Sequence, residues 1–315
     1  MIYDGTNRIY IIGEQNSGRK ALVCSIIHKF MYSPVFIDGN RWELSAMDKG
    51  EEILGDTELL QNKMASFDRI KIFDLENILS DEKKHIPDFV ELGLIINDEI
   101  CGRIHFTNIT EEQKDYIQLK SYAFSVILVV VECSAVINND RAYMERVCEK
   151  LKKAFDTSNE KPRVVFALTK ADILSDEMRS RDFEEFYRLF EKNAEPLVQY
   201  CLKNAIVFEK RAVSAFSQNK SDIFDENGEI LKEPNFSPWE VDRLLLDTVT
   251  LALPLMRMRL ENIIDNCNDT IRRRRGVFNR ENIRAQLDVR IARKNLCSAI
   301  KNMYPLANAA KYMEK

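Results

Sequence analysis

Two short apolar runs in the middle of the chain constrain the fold most strongly. Residues 125–131 (SVILVVV) are apolar at every position after the first, which is typical of a strand buried on both faces of a parallel sheet. Residues 163–168 (RVVFAL) repeat the pattern, and residues 139–155 between them have helical periodicity. A strand, a helix and a second strand in that order predict a parallel crossover unit and therefore an α/β protein.

Further elements extend this unit in both directions. A strand at 8–12 precedes a glycine loop and a helix at 19–30, and strands at 89–96 and 100–107 predict an antiparallel hairpin. The remaining predicted elements are a helix at 181–203, a strand at 205–213, a polar loop at 219–238 and a long helix beginning near Trp239, which Pro254 should kink or end. We expect a doubly wound, mostly parallel sheet with one antiparallel edge strand and a C-terminal helical extension.

Composition limits the class of protein. The chain has 315 residues, of which 45% are hydrophobic and 30% charged, so it is expected to fold. The seven cysteines occur singly, which predicts free thiols in a reducing compartment, and the three histidines lack zinc-ligand spacing. The N-terminal residues do not resemble a signal peptide, and no apolar run is long enough to cross a bilayer. A cytoplasmic location is therefore expected.

The loop after the first predicted strand has two glycines at a spacing that binds phosphates. Residues 13–20 (GEQNSGRK) nearly match G-x-x-x-x-G-K-[ST], in which backbone N–H groups surround a phosphate at a helix N-terminus. Arg19 stands at the lysine position and Lys20 at the hydroxyl that binds Mg²⁺, whereas a register shifted by one restores the lysine but puts Ala21 at the hydroxyl. The candidate phosphate-binding residues are Gly13, Asn16, Ser17, Gly18, Arg19, Lys20 and Ala21. An ordinary strand-to-helix glycine turn is the alternative.

Two later loops point to a nucleotide base. Residues 169–172 (TKAD) directly follow a predicted central strand and resemble the [NT]-K-x-D motif of GTP-binding proteins, although Asp172 alone is also a good helix cap. Residues 214–216 (SAF) follow the last predicted strand and are similar to the S-A-[KL] motif of the same proteins. Together with the glycine loop, these three ordered motifs resemble those of the Ras-like (TRAFAC-class) P-loop GTPase superfamily. The resemblance covers residues 1 to about 255.

The resemblance implies that the chain binds guanine, with GTP or GDP as the ligand. Asp172 would accept hydrogen bonds from the guanine N1–H and exocyclic amine, a donor pair that adenine lacks, and the Lys170 stem would pack over the base. The guanine-binding residues implied in this way are Thr169, Lys170, Asp172, Ser214, Ala215 and Phe216. The insert at about 38–87 is read as polar and irregular from 38 to 77, with a helix at 49–63 and a weak strand at 69–73. It resembles the divergent GTPase-like proteins of bacterial multi-gene conflict systems.

Other family positions are altered. Where the family has D-x-x-G after the hairpin, Thr107 occupies the aspartate position and Thr110 the glycine position. Phosphoryl transfer depends on Mg²⁺, the loop lysine and a positioned water, so we expect little or no hydrolysis and weak dependence on Mg²⁺, with no catalytic residue and no metal ligand assigned. The expected function is a pseudo-GTPase, a regulatory or assembly protein that works with a protein partner. A slow active GTPase switch and a nucleotide-free scaffold remain alternatives.

The C-terminal segment, residues 256–315, is a basic helical extension that follows an acidic body. It contains the run Arg272–Arg275 among many other cations. It predicts docking to an acidic protein, an anionic membrane or nucleic acid, or a solvated face folded back on the acidic domain. Leu287, Ile291, Leu296 and Ile300 recur at roughly helical spacing and predict an apolar face that requires a partner surface.

Overall fold

The computed structural model describes residues 6–32, 34–46, 89–109, 125–158, 161–227, 229–273, 283–290 and 292–294. The strands are β1 (Thr6–Gly13), β2 (Val35–Ile37), β3 (Asn40–Ala46), β4 (Phe89–Ile96), β5 (Glu99–Thr107), β6 (Val126–Glu132), β7 (Arg163–Thr169) and β8 (Phe208–Ala212). The helices are α1 (Arg19–Tyr32), α2 (Cys133–Ile137), α3 (Arg141–Thr157), α4 (Asp176–Asn193), α5 (Glu195–Lys203) and α6 (Val241–Arg273). Residues 283–290 and 292–294 are also helical.

The strands form one sheet in the order β2-β3-β4-β5-β1-β6-β7-β8. Strands β5, β1, β6, β7 and β8 are parallel to one another, and β4 pairs with β5 in antiparallel orientation. The predicted α/β class, the mostly parallel sheet and its antiparallel edge are therefore confirmed. The edge differs in size from the prediction, because β2 and β3 continue it beyond β4 as an antiparallel hairpin.

The sheet separates two apolar cores, and β1 shows how its residues are distributed between them. Ile9 and Ile11 face one core, which α1 and α6 cover. Tyr10 and Ile12 face the other, which α3, α4 and α5 cover. This alternation is the period of two that every strand imposes on its side chains. In the central strand β6 no residue from Val126 to Val131 is more than 1% exposed, as expected for a strand buried on both faces.

The prediction of irregular structure from residue 38 onward is wrong for residues 40–46, which form β3. Trp42 and Leu44 alternate with Arg41 and Glu43 along this strand, and the two apolar side chains are fully buried against the α1 side of the sheet. The strand pattern is hard to recognise in the sequence, because its apolar face consists of only two side chains with polar residues between them. The predicted helix at 49–63 and strand at 69–73 lie outside the described residues.

The single helix predicted at 181–203 is two helices. Ser175 caps α4 by accepting a hydrogen bond from the Met178 N–H, so this helix begins before residue 181. It ends at Asn193, and α5 begins at Glu195 with Pro196 in its first turn, where proline is tolerated. The last strand is also shorter than predicted, spanning residues 208–212.

Of the two outcomes predicted for Pro254, a kink or the end of the helix, the second is wrong. Helix α6 continues from Val241 through Pro254 to Arg273. Pro254 is exposed, so water can solvate the carbonyl that loses its partner, while the buried Leu253 and Met256 hold the turns on either side against the sheet. The helix thus crosses position 255, where the basic extension was expected to begin.

Part of the basic extension belongs to the core. Met256, Leu260 and Ile263 pack in the α1-side core, and Arg259 is only 5% exposed. The Arg259 Nη1 donates to the carbonyl of Thr6 at 3.2 Å and to the Ser125 hydroxyl at 3.1 Å. This arginine is therefore an internal link between α6 and the amino ends of β1 and β6.

The helical residues 283–290 and 292–294 show a different buried face from the predicted one. Ala285, Val289 and Ala292 are buried, whereas Leu287 is 47% exposed. Ala292 belongs to the core that α1 and α6 cover, so the buried face consists of small side chains and the larger leucine faces outward. Of the other residues predicted for the apolar face, Ile291, Leu296 and Ile300 lie outside the described residues.

No helix in the described part of the chain combines the length and apolar character that crossing a bilayer requires. The six described cysteines carry free thiols, and all except Cys267 are buried. Cys24 lies fully buried on α1, and burial raises the pKa of its thiol. It therefore packs as a small apolar side chain.

Replacing Arg259 with alanine should lower the free energy of unfolding by roughly 2–4 kcal/mol, because the buried Thr6 carbonyl and Ser125 hydroxyl lose the hydrogen bonds that the guanidinium donates. Arg257, two residues away, makes an exposed ion pair with Glu261, so Arg257→Ala is the matched control and should change stability by less than about 0.5 kcal/mol. Urea unfolding of both variants measures this difference. Equal effects would show that Arg259 is not a structural link.

Glu91 provides a pH-dependent test of the antiparallel edge. It lies opposite His105 across β4 and β5, and the His105 hydrogen bond and the nearby Arg103 guanidinium lower the pKa of its carboxyl. The ionised Glu91 carboxylate therefore stabilises the folded state fully at pH values above the ordinary carboxyl pKa. This stabilisation is lost as the pH falls through the lowered pKa of the folded state. Glu91→Gln should cost about 0.5–1 kcal/mol near neutral pH and flatten the acid limb of a stability–pH curve. Exposed Glu149→Gln, the control, should leave that limb unchanged.

Candidate functional site

The parallel strands of the sheet all end at one edge, where ligands bind in open α/β sheets. The strand ends there are Gly13 of β1, Thr107 of β5, Glu132 of β6, Thr169 of β7 and Ala212 of β8. The glycine loop, the TKAD loop and the SAF loop follow three of these strands. The structure therefore brings the three predicted motifs to the same edge, although they are separated by up to about two hundred residues of sequence.

The glycine loop has the backbone geometry of a tight strand-to-helix turn. Asn16 and Gly18 both have left-handed conformations, with φ of 63° and 91°. Gly13 is required by space, since a Cβ there would lie 2.7 Å from Ser17 Oγ and 2.9 Å from the Val130 carbonyl oxygen. Gln15 and Asn16 are exposed at the loop tip. The chain then enters α1 at Arg19, so the first N–H groups of a fourteen-residue helix lie at the end of the loop.

Arg19 and Lys20 occupy different environments in the first turn of α1. Arg19 is 8% exposed, whereas Lys20 is exposed and Ala21 is partly exposed. The two cations add positive charge to the helix N-terminus, which is itself the positive end of the helix dipole. This part of the edge is therefore suited to an anion.

A buried hydrogen bond joins the glycine loop to the TKAD loop. Thr169, which is 2% exposed, donates its hydroxyl to the carbonyl of Ser17 at 2.7 Å. Gly18 lies beside the same side chain, since a Cβ on this glycine would be 3.8 Å from Thr169 Oγ1. The first residue of one predicted motif is thus a structural support for the other.

The TKAD and SAF loops are joined in the same way. Ser214 donates its hydroxyl to Asp172 Oδ1 at 3.2 Å, and the Ala171 N–H donates to the carbonyl of Val213 at 3.1 Å. Asp172 is partly exposed, so its carboxylate is held by Ser214 without being closed off from solvent. Arg179 donates to the Asp172 carbonyl at 2.8 Å and further fixes the loop.

The SAF loop is also held from the chain that follows it. Ser214 and Trp239 exchange two backbone hydrogen bonds, of 3.1 and 2.9 Å, and the Trp239 ring packs at a tilt of 51° against Phe183, with ring centroids 5.1 Å apart. Phe216 contacts Phe236 and packs against the α1-side core. Trp239, interpreted from sequence as a core residue, is partly buried and packs on the α4 side of the sheet.

Lys170 has a strained but defined position. Its φ of 59° is left-handed, and its Nζ lies 2.7 Å from Glu132 Oε2 at the end of β6. Ser134 donates to the same carboxylate oxygen at 3.4 Å, and the Glu132 N–H donates to the Tyr143 hydroxyl at 3.2 Å. The lysine stem is therefore held between β6 and β7 with its ammonium group neutralised.

A second ion cluster holds the glycine loop against α3. Glu14 forms ion pairs with Arg146 at 3.1 Å and Lys150 at 3.3 Å, and Lys150 Nζ also donates to the Gly13 carbonyl at 2.8 Å. The loop carboxylate is thus neutralised by helix cations. The arrangement removes a negative charge that would otherwise oppose a phosphate in the loop.

The residues at the edge do not fit a Mg²⁺ ion of the kind that P-loop GTPases hold. Lys20 places an ammonium group where a hydroxyl ligand is needed, and Thr107 stands at the aspartate position. Asn108, the next residue, donates from its side chain to the carbonyl of Ile11 at 2.7 Å and is buried. Within the described residues no three His, Cys, Asp or Glu side chains gather as a metal site. Thr110 lies outside them.

Sequence reasoning missed three groups that shape the site: Glu132, the pair Arg146 and Lys150, and Trp239 as a partner of Ser214. Glu132 could have been found, because it is the polar residue that ends an apolar central strand. Arg146 and Lys150 lie one helical turn apart on α3. That spacing predicts a shared face but does not show which loop the face contacts.

Neither the models of known protein families nor the curated proteins contain a match for this chain.

Thr169→Val should loosen the glycine loop, because the isosteric side chain cannot donate to the buried Ser17 carbonyl. We expect a loss of about 1–2 kcal/mol in the free energy of unfolding and faster hydrogen exchange at the Ser17 and Gly18 amides. Thr248→Val is the control, since Thr248 is equally buried but donates to Leu244 within its own helix. Unchanged exchange in the loop of Thr169→Val would contradict the link.

Proposed function

We propose that this chain binds guanine nucleotides, GDP or GTP, and acts as a regulatory or assembly protein with little or no GTP hydrolysis. In this proposal it is a divergent P-loop GTPase-like protein that has kept base recognition and lost the metal-dependent chemistry. The observation that carries it is the set of side-chain hydrogen bonds that connects the three motifs: Thr169 to the Ser17 carbonyl, and Ser214 to the Asp172 carboxylate.

These two bonds favour a site over an accidental match of short motifs. A glycine turn between a strand and a helix has no need of a buried donor from a loop more than one hundred residues away, yet Thr169 supplies one. A helix-capping aspartate has no need of the Ser214 hydroxyl. The hydrogen bonds fix the phosphate-binding and base-binding positions relative to each other, as a nucleotide requires.

The residues present fit the base and the phosphates of a guanine nucleotide. Asp172 offers a partly exposed carboxylate that can accept from both guanine donors, and the aliphatic stem of Lys170, whose ammonium group is held by Glu132, would pack over the base. The backbone N–H groups of the glycine loop, together with Arg19 and Lys20, would meet the phosphates. Arg19 and Lys20 replace positive charge that a Mg²⁺ ion would otherwise contribute, so binding should depend little on the metal.

Hydrolysis is not favoured by the same residues. Thr107 stands where the aspartate would hold the metal's water shell, and Asn108 is committed to the Ile11 carbonyl. Phosphoryl transfer depends largely on charge stabilisation and on an oriented water, and among the described residues no three His, Cys, Asp or Glu side chains gather to hold a metal ion for either task. A protein that binds a nucleotide without hydrolysing it can act only through a partner that responds to the bound state. This supports a regulatory or assembly role.

Calorimetric titration of the nucleotide-stripped full-length chain with GDP, GTP and ADP tests the proposal. We expect GDP and GTP to bind with Kd values that change by less than about threefold between Mg²⁺ and a chelator, and ADP to bind at least about 100-fold more weakly because it leaves Asp172 without donors. Absence of nucleotide binding, or equal binding of ADP, would contradict it. Mg²⁺-dependent release of phosphate from GTP that is lost in Arg19→Ala would favour an active GTPase instead.

Two substitutions at one position separate base recognition from structural damage. Asp172→Ala should weaken GDP binding roughly 100-fold, since two hydrogen bonds to a charged acceptor are lost. Asp172→Asn should weaken GDP similarly but strengthen the binding of xanthosine diphosphate, because the amide can donate to the xanthine O2 while still accepting from N1–H. If Asp172→Asn fails to gain xanthosine nucleotides while remaining folded, Asp172 does not read the base.

A further inference from the structure

The helical residues near the C-terminus present two distinct faces. Ala285, Val289 and Ala292 recur at spacings of four and three residues and are at most 7% exposed. Ala292 belongs to the core shared with α1 and α6, and the charge of Asp288 lies close to the Cys267 thiol of α6. The small-residue face is therefore the one turned toward the protein.

The opposite face combines aliphatic and cationic side chains. Ile283, Leu287, Arg290 and Lys294 recur at spacings of four, three and four residues, which places them on one stripe. Ile283 and Leu287 are 56% and 47% exposed, and both cations are exposed as well. Exposed Arg284 and Arg293 lie on the same segment. We call these six residues the outer tail face.

The cations of the outer tail face have no acidic partner among the described residues. In the part of the chain that the structure describes, none of Arg284, Arg290, Arg293 and Lys294 forms an ion pair, whereas Arg257 and Arg272 on α6 each have an acidic neighbour. Residues 257–315 contain 14 Lys and Arg and six Asp and Glu, although the whole chain contains 46 and 50. The positive charge is therefore concentrated in this segment of an otherwise acidic protein.

We propose that the outer tail face docks on an anionic lipid surface. A bilayer boundary holds phosphate and carboxylate groups directly above hydrocarbon, so it accepts aliphatic side chains and long cationic side chains from the same helix face. Nucleic acid offers anions but no apolar layer for Ile283 and Leu287. The acidic remainder of the chain would be repelled by the same surface, which leaves the tail as the contact.

Sedimentation of the full-length chain with lipid vesicles tests the proposal. Binding should be strong to phosphatidylcholine vesicles that contain about 30% phosphatidylserine, weak to phosphatidylcholine alone, and reduced when NaCl is raised from about 0.1 to about 0.5 M. Arg290→Glu/Lys294→Glu should lower the partition coefficient by at least about thirtyfold. Leu287→Ser should lower it about fivefold, since an inserting aliphatic side chain is lost.

Matched variants elsewhere on the surface control for charge and hydrophobicity. Lys153→Glu/Lys203→Glu makes the same change in net charge at exposed positions of α3 and α5, and Leu202→Ser removes another exposed leucine. Both should bind anionic vesicles as the unaltered chain does. All variants replace exposed side chains, so thermal unfolding should show that each remains folded.

Three outcomes would overturn the proposal. The first is that anionic vesicles do not bind the chain, and the second is that the tail and control variants lose binding equally. The third is that a DNA duplex of about 20 base pairs binds both the unaltered chain and the Leu287→Ser variant as tightly as anionic vesicles bind the unaltered chain. That result would show that the tail binds anions and does not need an apolar layer. None of these measurements involves nucleotide, so the result is independent of the proposed nucleotide site.

Discussion

The parallel ladder of β1, β6 and β7 is the constraint on which the rest of the structure depends. The side chains of β6 are buried on both faces, so the register of this strand with its two neighbours cannot shift without exposing apolar surface. That register places Gly13, Glu132 and Thr169 at a common edge. The hydrogen bond between two of the loops follows from it. Gly13 at the end of β1 is level with Val130 and Ala167, and β7 runs two residues further to Thr169, which donates to the carbonyl of Ser17 in the loop beyond β1.

The sequence predicts the elements whose pattern is local and strong. The buried run 125–131, the glycine turn and the 89–107 hairpin all have one dominant period or one steric requirement, and the structure contains each of them. The sequence does not predict β3, since Trp42 and Leu44 are buried only by contact with α1 and the neighbouring strand. Nor does it predict that α6 continues through Pro254, because packing of Leu253 and Met256 outweighs the lost backbone hydrogen bond. In the candidate site, the sequence predicts where the three motifs lie. It does not predict their partners Glu132, Arg146 and Lys150, because these meet the loops only through tertiary contacts.

Two of the carboxylates at the candidate edge are neutralised, so they would not repel an anion bound there. Glu14 pairs with Arg146 and Lys150 of α3, and Glu132 pairs with Lys170 of the TKAD loop. A phosphate near the glycine loop would therefore meet the helix dipole and the cations of the first turn of α1 with reduced repulsion. The exposed Lys20 in the first turn of α1 is consistent with this arrangement, because its ammonium group would repel a metal ion placed beside it.

Helix α6 determines how the two proposed surfaces are placed. Its N-terminus follows Trp239, which pairs with Ser214 at the carboxyl edge of the sheet, while Arg259 binds Thr6 at the amino edge. Eighteen residues of helix separate Val241 from Arg259, a distance of about 27 Å. The Asp288 charge of the tail segment acts on the Cys267 thiol, which lies still further along α6. The outer tail face is thus near the amino edge, away from the glycine, TKAD and SAF loops. A lipid surface bound by the tail would leave the carboxyl edge of the sheet, where nucleotide binding is proposed, open to solvent and to a partner protein.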